Sequence, residues 1–155
     1  MADQAPDYDD PGVEEAWCDE RLAEVAEYLE EQGIAHGEIG DWPAWHVAPY
    51  VSIWAVESAT RPGWVGHWVI CGDLPTDHVA KADAADPREA VRVIAGRWTD
   101  AAGFMANGEV HPQFGIGSSA EERRKLAPML ASRAALLARW ADDDEIWDDE
   151  EGEPA

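Results

Sequence analysis

Positive charge is what this sequence has least of. It holds 11 Lys and Arg against 33 Asp and Glu, a formal net charge of −22. Nucleic-acid binding needs clustered bases that displace counterions from phosphate. The one basic cluster, Arg123-Arg124-Lys125, reads as a solvated helix face, so nucleic acid is not expected as a partner. Long apolar runs are also missing. No stretch of about 18 apolar residues exists, and no membrane span is predicted. Residues 1–12 are acidic and lack the apolar stretch of a secretory leader. Cysteine is scarce: Cys18 and Cys71 make neither a disulfide framework nor a CxxC pair. These absences predict a cytoplasmic chain with reduced thiols, no metal site and no cofactor.

The acids that are present lie unevenly. Residues 1–15 carry six acids and no base, and residues 142–155 carry nine acids and no base. With those fifteen set aside, 18 acids face 11 bases. The charge excess therefore sits on two ends, expected as disordered acidic segments over 1–10 and 148–155 around a single domain over 11–147. An acidic mimic or inhibitor of a basic partner should display its acids on a structured surface, which ranks that function third.

The first predicted element is a helix. Asp10 caps it, Pro11 suits its first turn, Glu14 and Glu15 favour its positive end, and Gly33 stops it with Ile34 returning to Leu29. Its apolar stripe is Cys18, Leu22, Val25, Ala26 and Leu29. A Gly/Pro/Trp/His loop follows, with room for a short strand at Glu38–Ile39. The stretch Tyr50 to Ser58 alternates and is apolar on both faces, so it reads as a strand covered on both sides. Pro62-Gly63 forms a type II turn. Trp64 to Cys71 returns antiparallel, with Glu57 opposite Trp64 and Trp54 opposite His67. Asp86-Pro87 opens a second helix with the stripe Val91, Ile94, Trp98, Ala101, Met105, which Asn107-Gly108 ends. Ser119 and Glu122 box the start of a third, in which Pro128 predicts a kink or break.

Four stretches carry a family resemblance: Trp17-Cys18, "HGEIGDWPAWHVAPYVSIWAVES", "RPGWVGHWVICGDLPTDHV" and "LAPMLASRAALLARWADDDEIW". In this order they resemble a family of small bacterial proteins known as domain of unknown function 4826, over about Trp17 to Trp147. The resemblance implies no chemistry. It implies that Trp147 docks on the domain. It also implies aromatic residues in relatives at the positions of His67 and His78, and hence no required chemical role for either.

Candidate sites follow from residue type and position. A zinc site from Cys18 and Cys71 lacks the closely spaced ligand pairs that zinc uses. Cys71 with His46 or His78 would give a thiol and a base, but the residues after Cys71 are acidic and oppose a thiolate. Asp73 and Asp77 follow a strand end, where loop carboxylates serve metal ligation or general base work, and His46 could join them. The plain alternative is that Asp73 starts a turn and Asp77 caps a short helical turn. Nine tryptophans are present, five of them (Trp42, Trp45, Trp54, Trp64, Trp68) between residues 42 and 68. Trp54, Trp68 and Trp98 fit the core. Trp42 and Trp45, around Pro43 and before His46, fit a binding edge.

The expected fold is α+β: a small antiparallel sheet built on a β-hairpin, packed by about three main helices. The leading function is a non-catalytic binding or regulatory module. It would recognise a protein partner or small ligand through Trp42, Trp45 and His46, with Asp73 and Asp77 nearby. The alternative is a small metal-assisted hydrolase using His46, Asp73 and Asp77. Catalytic residues and oligomeric state stay open at this point.

Overall fold

A computed structural model describes residues 7–151, with side chains through Trp147. Residues 1–6 and 152–155, most of the two expected acidic ends, lie outside the described residues. The fold is α+β, with an antiparallel five-stranded sheet and three main helices. The chain divides into two compact units, Met1–Ala82 and Asp83–Ala155.

The first unit opens with helix α1, Pro11–Gln32. Asp10 caps it through its carboxylate, which accepts the Val13 N–H at 3.1 Å. Gly33 ends it at φ 68°, and the Ile34 N–H returns to the Leu29 carbonyl at 3.0 Å. Its buried residues are Trp17, Cys18, Val25 and Leu29. The expected stripe is thus corrected at two positions. Ala26 is exposed, and Trp17 takes part. A broad indole one position before Cys18 covers more of the sheet than a methyl group on the stripe's far side.

Five strands follow: β1 His36–Ile39, β2 Trp45–Val47, β3 Val51–Ser58, β4 Val65–Gly72 and β5 Leu74–Ala80. Their order is β1-β3-β4-β5, with β2 also pairing β3. Strand β3 is central, and its residues Val51 to Trp54 are all buried, as a strand covered on both faces requires. The β3–β4 register differs from the expected one by two residues: Trp54 faces Val69 and Val56 faces His67. The turn closes with the Ser58 N–H on the Trp64 carbonyl at 2.8 Å. A bulge between Val56 and Glu57 then takes up one more residue. A shift of two keeps every side chain on its expected face.

Strand β5 corrects the reading of Asp73 and Asp77. The stretch after Cys71 is not an open loop but a tight turn and an edge strand, antiparallel to β4. Pro75 obscured it, since proline reads as a strand breaker, yet an edge strand tolerates the missing N–H. Asp77 therefore caps no helical turn. It sits within β5, opposite Ile70.

Alternation divides the sheet. On one face Trp54, Val56, Val69 and Cys71 form a buried cluster with Trp17, Cys18, Val25 and Leu29 of α1. The other face carries Trp45, Ile53, Ile70 and Asp77, linked by register across β2, β3, β4 and β5.

The second unit is helical. Helix α2, Pro87–Ala106, buries the whole predicted stripe and starts at Asp86, which accepts the Glu89 N–H at 2.8 Å. Helix α3, Ala120–Ala141, packs against α2 and starts at Ser119, which accepts the Glu122 N–H at 3.1 Å. Pro128 does not break α3. Pro128 is exposed, while Ala127, Leu130, Ala134 and Leu137 stay buried, so the helix keeps its packed face across the proline. Helix α4, Asp144–Glu151, carries Trp147 back onto this unit. Trp147 is 4% exposed and its indole N–H donates to the Trp140 carbonyl at 2.9 Å. Arg88 and Arg92 donate to the Ala141 carbonyl at 2.7 and 2.9 Å, placing cations at the negative end of α3.

Candidate functional site

The five residues expected to form one site occupy three different places. Trp45 is 2% exposed, opposite Ile53, on the face turned away from α1. Asp77 is 4% exposed on that same face, and its carboxylate accepts the His78 N–H at 2.8 Å. Asp73 is exposed in the β4–β5 turn, where its N–H donates to the Tyr50 carbonyl at 2.9 Å. His46 pairs with Ser52 and so lies on the α1 face, opposite in sense to Asp77. The sheet does not bring His46, Asp73 and Asp77 together, and the expected metal-assisted constellation is not assembled. Among the described residues no three His, Cys, Asp or Glu side chains could hold a metal ion.

Trp42 and His46 do meet. The edge of β3 explains how. The Gly40 N–H donates to the Ala55 carbonyl at 3.0 Å and the Ala44 N–H to the Ile53 carbonyl at 2.7 Å. Between these anchors the chain leaves the edge, and Pro43 supplies no N–H to keep it there. The excursion leaves Trp42 47% exposed, with its ring edge-on to His46 at 5.4 Å. His46 is fixed from the other side. Its Nε2 lies 2.7 Å from a Glu14 carboxylate oxygen, and its ring stacks on Trp17 at 6.3 Å. Arg21 extends the stack, its guanidinium 5.3 Å from the Trp17 ring. Beside Trp17 an open groove of about 380 Å³ is lined by Tyr8, Val13 and Ala16, with the carboxylates of Asp10 and Glu20.

The contacts of Glu14, Trp17 and Arg21 with this cluster do not follow from the sequence reading. Glu14 had a sufficient local role at the helix start, and Trp17 fell outside the stripe. Yet Glu14, Trp17, Cys18 and Arg21 follow the i, i+3, i+4, i+7 spacing of one helix side. That spacing was the available signal.

The cysteines are core residues. Cys18 and Cys71 are free and buried in the α1–sheet cluster. Burial, with Glu14 next, pushes the Cys18 thiol up to about 11. Burial pushes the Cys71 thiol up to about 12 against the lowering effect of Ser52. Ser52 donates to the Cys71 carbonyl at 3.0 Å and accepts the Trp54 indole N–H at 2.9 Å. Neither thiol is poised as a thiolate near neutral pH.

His67 and His78 sit edge to face, ring centres 5.6 Å apart, on the α1 side. The Tyr28 hydroxyl lies 2.7 Å from His78 Nδ1, and His67 Nδ1 is buried without a partner among the described residues. Burial, then the charge of His36, lowers the His67 pKa below its usual value. The unfolded chain therefore binds more protons just below neutrality, and stability is lost as pH falls from the unfolded toward the folded pKa. A urea midpoint that declines between about pH 7.5 and about pH 6 is expected, with a shallower decline in His67→Phe. An identical decline in that variant would contradict the assignment.

The geometry defines an α+β protein with a surface aromatic–imidazole cluster pinned by a carboxylate. Residues 12–147 match the profile of a domain of unknown function, DUF4826, and the chain belongs to that family. No curated protein and no solved structure matches it. No described helix is long and apolar enough to cross a membrane.

Proposed function

We propose that this protein is a non-catalytic binding module that receives its partner on the face built from Trp42, His46, Trp17 and Glu14. One observation carries the reading. Trp42 stands half in solvent, yet it is held between two backbone anchors and against an imidazole that is itself fixed by Glu14. Folding gains little from an indole left in water. A rigid, exposed aromatic with a polar neighbour is what a binding hot spot requires. Asp10 and Glu20 line the adjacent groove and Glu14 holds His46, so the acids of this face favour a partner segment that pairs an apolar tip with a positive flank. The buried Trp45 and Asp77 and the turn residue Asp73 are not part of this face.

The test is retention of a partner by immobilised chain, comparing the parent with Trp42→Ala and His46→Ala. Both variants should fold. Trp42→Ala should lower retention by at least tenfold, as loss of a hot-spot tryptophan does. Equal retention by the parent and Trp42→Ala, at matched folding, would sink the reading. Retention that collapses steeply with salt but ignores Trp42 would instead favour the acidic-mimic function.

A further inference from the structure

The C-terminal part of α2 and the loop after it enclose a second groove, of about 410 Å³, that includes Asp100, Phe104, Glu109 and His111. His111 is only 9% exposed. Its Nδ1 accepts two backbone N–H groups, from Gln113 at 3.1 Å and from Phe114 at 3.3 Å. A ring nitrogen that accepts twice carries no proton, so the proton is on Nε2 and that atom is a donor. The buried side-chain polar atoms without a partner among the described residues are Arg21 Nε and His67 Nδ1. The unpartnered Nε2 of His111 is therefore not sealed from solvent, and His111 is one of the residues that line the groove. It is not arranged as a metal ligand, because a ligating histidine donates through its other nitrogen and here that nitrogen accepts.

The other groups in the groove select for charge. Asp100 and Glu109 are exposed carboxylates lining it. They lie near the C-terminus of α2, where the helix dipole adds negative potential. Phe104 is 38% exposed and meets His111 edge-on at 5.0 Å, which leaves an apolar wall beside the donor. One fixed N–H donor, two carboxylates and an aromatic wall complement a primary ammonium with a carbonyl one carbon away and an apolar substituent. We propose that this groove binds an α-amino carbonyl group, as carried by an amino-acid amide or by the N-terminus of a peptide. The ammonium meets Asp100 and Glu109, the carbonyl oxygen accepts from His111 Nε2, and the side chain covers Phe104. This site is independent of the Trp42 face.

The experiment is an NMR titration of the full chain with L-phenylalaninamide, with N-acetyl-L-phenylalaninamide as the uncharged control. Saturable shifts at residues 99–111 are expected for the amide, with the Nε2 proton of His111 retained and moved downfield. The acetylated compound should bind at least tenfold more weakly. Asp100→Asn and Glu109→Gln are surface changes that keep the fold, and each should weaken binding about threefold, as exposed charge pairs do. His111 also holds its loop, so the two carboxylate variants serve in place of its substitution. A Phe-Gly-Gly tripeptide that binds more tightly than the amide identifies a peptide N-terminus as the source, and equal affinity identifies the free amide class. No saturation, equal binding of the acetylated compound, shifts centred elsewhere, or a proton found on His111 Nδ1 would each overturn the proposal.

Discussion

Trp45→Ala is expected to lose about 3–5 kcal/mol of stability, the range for a buried aromatic cut to alanine. Trp42→Ala, three residues earlier, is expected to melt with the parent. The contrast follows from the edge of β3. Trp45 pairs with Ile53, and its indole is 2% exposed on the inner face of the sheet. Removing it takes the whole buried ring out of contact and leaves a cavity that the surrounding structure relaxes into only in part. A typical domain holds only about 5–15 kcal/mol in total. The variant should therefore lose a large share of the domain's stability. Urea denaturation followed by far-UV circular dichroism reads the difference directly. A midpoint for Trp45→Ala within error of the parent would show that its indole is not core.

The second large effect is expected at the β4–β5 turn. Gly72 has φ 144°, a region that side-chain-bearing residues rarely adopt, and a Cβ there would lie 2.5 Å from the Tyr50 carbonyl oxygen. That oxygen cannot retreat, because it also accepts the Asp73 N–H at 2.9 Å. Gly72→Ala should thus cost about 3 kcal/mol or more, strain and overpacking acting together. Asp73→Ala, at the exposed neighbour, should stay within about 0.5 kcal/mol of the parent. Thermal melts of both variants check the pair of expectations. Equal melting of Gly72→Ala and the parent would contradict the turn geometry.

These two positions also show what could be read from sequence. Helix ends were legible, because Asp10, Gly33, Asp86 and Ser119 act on their own neighbours and need no tertiary context. So were the central strand and the stripe of α2. What stayed hidden depended on residues distant in sequence. The register of β3 on β4 was set by a bulge near the turn, and β5 by its pairing with β4. Trp42 and Trp45 look alike in sequence, two indoles around one proline. Only the strand interruption, set by hydrogen bonds to Ile53 and Ala55, sends one out and the other in. The candidate site was half legible for the same reason. Trp42 and His46 are neighbours in the chain and meet in space, but their supports Glu14 and Trp17 lie on α1, and Asp77 belongs to the opposite face.

The central claim is that the exposed indole of Trp42, held by His46 and Glu14, is what a partner engages. The most direct measurement is partner retention by Trp42→Ala set against its thermal melt. The account predicts an unchanged melt and retention lowered at least tenfold. Unchanged retention with an unchanged melt would contradict it.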